Sequence, residues 1–238
     1  MLVALSSPSS QGACKMYAGS GVDVMTLHYA RGFGKEGPVR PLRQPWNYPR
    51  ASDAECRGAL PPVVFNNEPI GPESSVEEDD SPSRIAAAYV MTFLAGNASY
   101  VLHTGPGIRG GGAADMALTP PRHANFDELP SFKAIAAGLE AARTYLPAGL
   151  ASWTRHSPKS TAAPLSGNDR LYIASSGSRF VALAIGVDKT TSVRARRKMS
   201  LDIRNPATGK VIKRLNVNPG ANIPLRGGEE LVIIGRTT

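Results

Sequence analysis

The sequence predicts an α/β fold in two parts: a layer of parallel strands joined by crossover helices, then a small all-β module. Three observations carry this reading. Residues 20–147 alternate strand-like and helix-like segments, the pattern of a parallel sheet. From about residue 165 onward there are only short alternating segments separated by turn signals, as in a β-sandwich. The strand-like segments of the first part also end in polar residues, and a β/α barrel builds its active site at that rim. The composition places the boundaries at 1–150 and 165–238.

The elements follow in order. "MLVALSS" reads as a short strand. "GVDVMTLHYA" (21–30) places Val22, Val24 and Leu27 along a strand closed by His28 and Tyr29. The segment from Arg31 to Leu60 is rich in Gly, Pro and Arg, and its "RPLRQPWNYPR" leaves Trp46 and Tyr48 exposed among prolines. A loop of that length in a compact domain is usually functional or disordered, and its aromatic residues favour function. Val63–Phe65 forms the next strand and leads into Asn66-Asn67-Glu68. In "SPSRIAAAYVMTFLAG", Ser81 suits an N-cap, Pro82 the first helical position and Gly96 the stop. The acidic run Glu77–Asp80 precedes that helix and complements its dipole. "ASYVLHT" reads as a buried strand ending in His103. "PSFKAIAAGLEAARTYLP" reads as a helix with Phe132, Ile135, Leu139 and Leu146 on one face.

Residues 148–168, rich in Ala, Ser, Pro and Thr, read as a linker. The module after them holds "RLYIASS", "RFVALAIG", "KMSLDIRNP", "KVIKRLNV" and "EELVIIGRT", with turns at Asn205–Gly209 and Pro219-Gly220.

Bulk properties bound the function classes. With 238 residues, 42% hydrophobic and 19% charged, the chain is an ordinary globular one and can bury a sizeable core. The net charge of +8 permits acidic partners. The densest basic cluster, Arg194, Arg196, Arg197 and Lys198, has no interleaved aromatic residues, so nucleic acid is not expected. Cys14 and Cys56 form no CxxC pair, and neither a metal nor a cofactor is expected. They read equally as a disulfide or as two free thiols. No stretch is long and apolar enough to span a bilayer. The amino terminus lacks the basic and apolar regions of a signal peptide.

"GPGIRG" (105–110) matches a dinucleotide fingerprint but does not open a helix directly. It reads better as a loop over the rim, with Arg109 as a substrate contact. His28, Glu68 and His103 end successive strands and converge on that rim. In Glu68 the sequence offers a carboxylate flanked by two amides and a proline, and Asn67 is suited to bond a sugar hydroxyl or to orient the carboxylate.

"VVFNNEPIGP", a helix, "YVLHTGPGIRGGG" and a second helix together resemble the closing part of a (β/α)8 glycoside hydrolase of the cellulase-like clan A type. "LDIRNPATGKVIKRLNV" and "ELVIIG" resemble the small β-sandwich that follows such barrels, sometimes labelled a collagen-binding domain. The resemblance covers most of the chain. It implies the carboxyl-terminal portion of a TIM barrel followed by a β-sandwich, with an oligo- or polysaccharide substrate and a secreted or extracytoplasmic location. After Glu68 and the helix that follows it, only one strand and one more helix come before the β module. Counted that way, the resemblance places Glu68 at the end of the seventh strand as the nucleophile, and His28 and Tyr29 near the end of the sixth. Trp46 and Tyr48 suit stacking on a sugar face. Tyr29, Asn67, His28, His103 and Arg109 complete the expected substrate subsite.

Retaining hydrolysis needs a second carboxyl group about 5 Å away. The resemblance places it on a fourth strand that this sequence does not contain, with Glu73, Asp115 and Glu128 as unsingled substitutes. The expectation is therefore a truncated or split enzyme, weakly active or inactive alone, whose partner is the missing amino-terminal part of the barrel. The alternatives are a non-catalytic carbohydrate- or matrix-binding remnant and a polyanion-binding protein.

Overall fold

A computed structural model describes residues 4–7, 21, 23–30, 42–43, 45–46, 63–68, 82–97, 99–102 and 130–238. Four strands, β1 (Ala4–Ser7), β2 (Val24–Ala30), β3 (Val63–Glu68) and β4 (Ser99–Leu102), form one sheet in chain order. Every pairing in it is parallel. Parallel neighbours cannot be joined by a hairpin, so the chain must cross over between them. Helix α1 (Pro82–Leu94) lies between β3 and β4 in the chain, and α2 (Pro130–Tyr145) follows β4.

Two strand expectations are corrected. The strand expected at Val63–Phe65 is twice as long: Asn66–Glu68 pair with His28–Ala30, which extends β3 to the glutamate. β4 is not fully buried, because it is an outermost strand of this sheet among the described residues, and Val101 is 44% exposed.

Helix α1 starts at Pro82, whose fixed φ and missing N–H suit a first turn. It ends before Gly96, which takes a left-handed φ of 85°. Asn97 completes the stop, with both its backbone N–H and its Nδ2 donating to the Thr92 carbonyl at 3.1 Å. Its three successive alanines, Ala86, Ala87 and Ala88, are all buried, because α1 is covered on more than one side. Helix α2 lies along it, and Ile85 meets Ile135 and Leu139 in a small cluster.

The carboxyl-terminal part holds nine short strands: β5 (Thr154–His156), β6 (Leu165–Gly167), β7 (Leu171–Ser176), β8 (Arg179–Ala184), β9 (Val193–Ala195), β10 (Met199–Arg204), β11 (Val211–Val217), β12 (Asn222–Ile223) and β13 (Leu231–Thr237). All are antiparallel. One sheet has the order β11-β10-β13-β8-β7-β5 and the other β12-β9-β6. The stretch 148–168 is therefore not a bare linker. It contains a 3-10 turn at Leu150–Ser152 together with β5 and β6, and β5 joins the six-stranded sheet ahead of residue 165.

The central strands of the six-stranded sheet, β7, β8 and β13, are buried on both faces along much of their length. Phe180, Ala182, Leu171, Ile173, Leu231 and Ile233 share one core with Leu165, Val193 and Ile223 of the smaller sheet. The alternate residues Val181, Leu183, Tyr172, Ala174 and Val232 face the other way and pack with Ala87, Val90, Met91 and Leu94 of α1. Successive side chains of a strand point to opposite faces, so a strand covered on both sides reads as an unbroken apolar run. "LYIA" and "FVALA" are such runs.

Candidate functional site: the rim of the parallel sheet

The register of β2, β3 and β4 brings their carboxyl-terminal ends level. His28 pairs with Asn66, Tyr29 with Asn67, Ala30 with Glu68, and Asn67 in turn with Leu102. Three successive strands thus end on one rim, with Glu68 as the last residue of the middle one.

The two-residue pleat then divides the positions between two faces. Positions 26, 28, 30, 64, 66 and 68 share a face with position 101. Positions 25, 27, 29, 63, 65 and 67 share the other face with Tyr100. The Tyr100 ring meets Tyr89 of α1 edge-on, with centroids 5.6 Å apart, so that second face is the helix side. Positions 28 and 68 therefore lie together on the face turned away from α1, where Val101 is exposed. Positions 29 and 67 lie on the helix side, so Tyr29 and Asn67 are separated from Glu68 by the thickness of the strand.

Tyr48, His103 and Arg109 lie outside the described residues, as do Glu73, Asp115, Glu128 and both cysteines. At the described strand ends, Ser7, Ala30, Glu68 and Leu102, the glutamate is the single titratable group.

Trp46 is not exposed among its prolines. Leu42, Arg43, Pro45 and Trp46 are helical, and Leu42 is 2% exposed. The Trp46 ring is half-buried, with the Arg155 guanidinium 3.9 Å from its centroid and the Tyr172 ring edge-on at 5.2 Å. Arg155 Nη2 also donates to the Trp46 carbonyl at 2.8 Å. Burial lowers the Arg155 pKa to about 10, still a full positive charge at neutral pH. A cation over one face and a ring edge against it leave Trp46 tying its loop to β5 and β7. No local pattern pointed to Arg155, because its neighbours read as linker and its partners lie far along the chain.

The fold has known counterparts. No protein-family model matches the sequence, and no curated protein matches it at a significant level. Solved structures do match. One described as a glycoside hydrolase superposes over 100% of this chain with a TM-score of 0.63 at 13% identity. A family 5 glycoside hydrolase from Bacteroides vulgatus superposes over 99% with a TM-score of 0.61, also at 13% identity.

The fold is that of part of these hydrolases.

The chain spans 57% of the first neighbour and 55% of the second, so it corresponds to little more than half of either. The likeness runs through both parts of the chain, the parallel sheet and the antiparallel sheets alike.

Proposed function

We propose that the chain is the carboxyl-terminal part of a retaining glycoside hydrolase, with Glu68 as its nucleophile. In this reading β1–β4 are the last four strands of a (β/α)8 barrel, and the antiparallel sheets form a β-sandwich after it. The observation that carries the proposal is the position of Glu68. It ends a strand within a parallel sheet, at a position on the face opposite the covering helix, which in this reading is the inward side of a barrel. The shared fold of the two hydrolases supports the same reading.

The chemistry requires a carboxylate to attack the anomeric carbon and a second carboxyl group, about 5 Å away, to protonate the leaving oxygen. In this reading Glu68 is the attacking carboxylate, and the second group stands on a barrel strand other than β1–β4. In this reading His28, at a position on the same face one strand away, bonds the substrate or the carboxylate. Tyr48, His103 and Arg109 remain in the proposal as contributors to the subsite wall, while Tyr29 and Asn67, at positions on the helix side, leave it. Trp46 drops out, because its ring already packs against Arg155 and Tyr172.

An activated fluoroglycoside with a dinitrophenolate leaving group tests this, since such a leaving group needs no acid assistance. The expected result is a covalent glycosyl adduct on the peptide carrying Glu68, absent in Glu68→Gln. A label on another residue, or equal labelling of both proteins, would overturn the assignment. Retained sugar binding with no label at all would favour a non-catalytic carbohydrate-binding chain.

A further inference from the structure

We propose that the six-stranded sheet carries, beyond the end of α1, a binding site for the carboxylate or sulfate groups of an acidic polysaccharide. The register places Ser176, Arg179, Arg236, Ser200 and Asn216 in one row across β7, β8, β13, β10 and β11. The next row adds Asp202 and Arg214. These residues lie on the same face as Val181, Leu183 and Val232, which α1 covers. The face is thus apolar where the helix lies on it. Past the helix it opens into a cleft of about 420 Å³, lined by Arg179, Arg214, Arg236, Ser200, Asn216 and Asp202 among others.

The charge arrangement in this cleft is unfavourable by itself. Arg179 and Arg236 are direct cross-strand partners, and like charges in that relation destabilise a sheet. The one carboxylate of the cleft, Asp202, is already engaged, by Arg204 Nη2 at 2.7 Å and Arg214 Nε at 3.4 Å. Among the described residues, neither Arg179 nor Arg236 has an acidic partner. Arg179 is nevertheless positioned, with its guanidinium 5.3 Å from the centroid of the Trp153 ring. Two opposed guanidinium forks suit a planar or tetrahedral anion, which would relieve their repulsion.

Flanking the two arginines along the row stand Ser176 on one side and Ser200 and Asn216 on the other, all exposed, whose hydroxyl and amide groups match sugar hydroxyls. No aromatic residue lines the cleft, so a stacked nucleobase has no platform there. The choice of a polysaccharide among polyanions rests on the hydrolase reading; the anion site itself does not.

The test measures binding of the whole chain by calorimetry, at two salt concentrations, to polygalacturonate, dextran sulfate, unmodified dextran and double-stranded DNA. Binding to polygalacturonate or to dextran sulfate is expected, and the stronger of the two tells carboxylate from sulfate. Unmodified dextran is expected not to bind. The double variant Arg179→Ser, Arg236→Ser should lose at least tenfold in affinity, and Arg236→Gln alone should lose part of it. Arg226→Ser, in a different cleft, should bind as the wild type does. The proposal is overturned if neither acidic glycan binds, if dextran binds equally well, or if DNA binds as tightly as the glycans. It is also overturned if the double variant, with an unchanged melt, binds like the wild type. Glu68→Gln should bind normally, so failure of the covalent label and failure of this site are read separately.

Discussion

Phe180 occupies the space that a side chain on Gly235 would take. The two are direct partners across β8 and β13. A Cβ on Gly235 would stand 2.6 Å from Phe180 Cε1 and 2.7 Å from the carbonyl oxygen of Ser200. Phe180 is 1% exposed and locked in the core between the two sheets, and the carbonyl belongs to the neighbouring strand. Neither can move aside without disturbing the ladder. Gly235→Ala should therefore destabilise the chain by about 1–3 kcal/mol, the usual range for overpacking. The check is the midpoint of a thermal or urea melt, and an unchanged midpoint would mean that the ring repacks freely.

The Trp46 clamp predicts a second loss. Removing the ring deletes an edge contact with Tyr172 and the stacking of the partly buried Arg155 cation. Trp46→Ala should cost roughly 2–4 kcal/mol, and Trp46→Phe less than half of that. Arg155→Met keeps much of the stem but leaves the Trp46 carbonyl without its donor, so it should fall between the two. Double-mutant cycles on Trp46 and Arg155 would measure the coupling directly. Additive losses would show that the two residues act independently.

Glu230 predicts a pH dependence of folding. Its side chain is buried where β13 meets the first turn of α1. The carboxylate accepts from Ser83 Oγ at 3.1 Å and lies 3.9 Å from Arg84 Nε. Burial raises its pKa, and the Ser83 hydrogen bond and the Arg84 charge offset that in part. The folded chain then keeps a proton where the unfolded chain has lost it. That stabilising contribution is full below the ordinary glutamate value and is lost as pH rises through the raised folded value. Glu230→Gln should flatten this slope in urea unfolding as pH rises above the ordinary glutamate value. A slope identical to that of the wild type would assign it to another group.

His156 acts on the other side of the pH scale. Burial, and then the charge of Arg197, lower its pKa, and its Nε2 shares a hydrogen bond of 2.7 Å with Ser175 Oγ. Here the unfolded chain holds the proton more readily. The contribution is present above the ordinary histidine value and is lost as pH falls through the depressed folded value. His156→Gln retains an amide for Ser175 and should remove this acid limb from the stability profile. If the limb persists in His156→Gln, a different group produces it.

Much of this architecture could be read from local pattern. α1 and α2 had their apolar faces, with proline and glycine at the ends of α1, and β7, β8 and β13 were legible as strands between turns, although they read as alternating segments and their cover on both faces was not foreseen. The strands β5, β6, β9 and β12 could not be read in that way. They are two or three residues long, too short for a period to show, and they exist because neighbouring strands offer them a register. The position of Glu68 at a strand end was legible, but its inclusion in the ladder depended on pairing with β2. Trp46 was misjudged for a similar reason: what covers it is Arg155 and Tyr172, more than a hundred residues away.

The double cladding of the six-stranded sheet bears on how such a gene can be cut and rejoined. A fragment beginning at residue 165 would lose β5, α1 and α2, leaving Tyr172, Val181, Leu183 and Val232 bare on one side. That much contiguous apolar surface invites aggregation. The carboxyl-terminal part is therefore not a cassette that recombination can graft onto an unrelated enzyme. To travel, it would have to take α1 with it, and α1 belongs to the segment between β3 and β4. Heredity has in effect soldered this β module to the rim that carries Glu68.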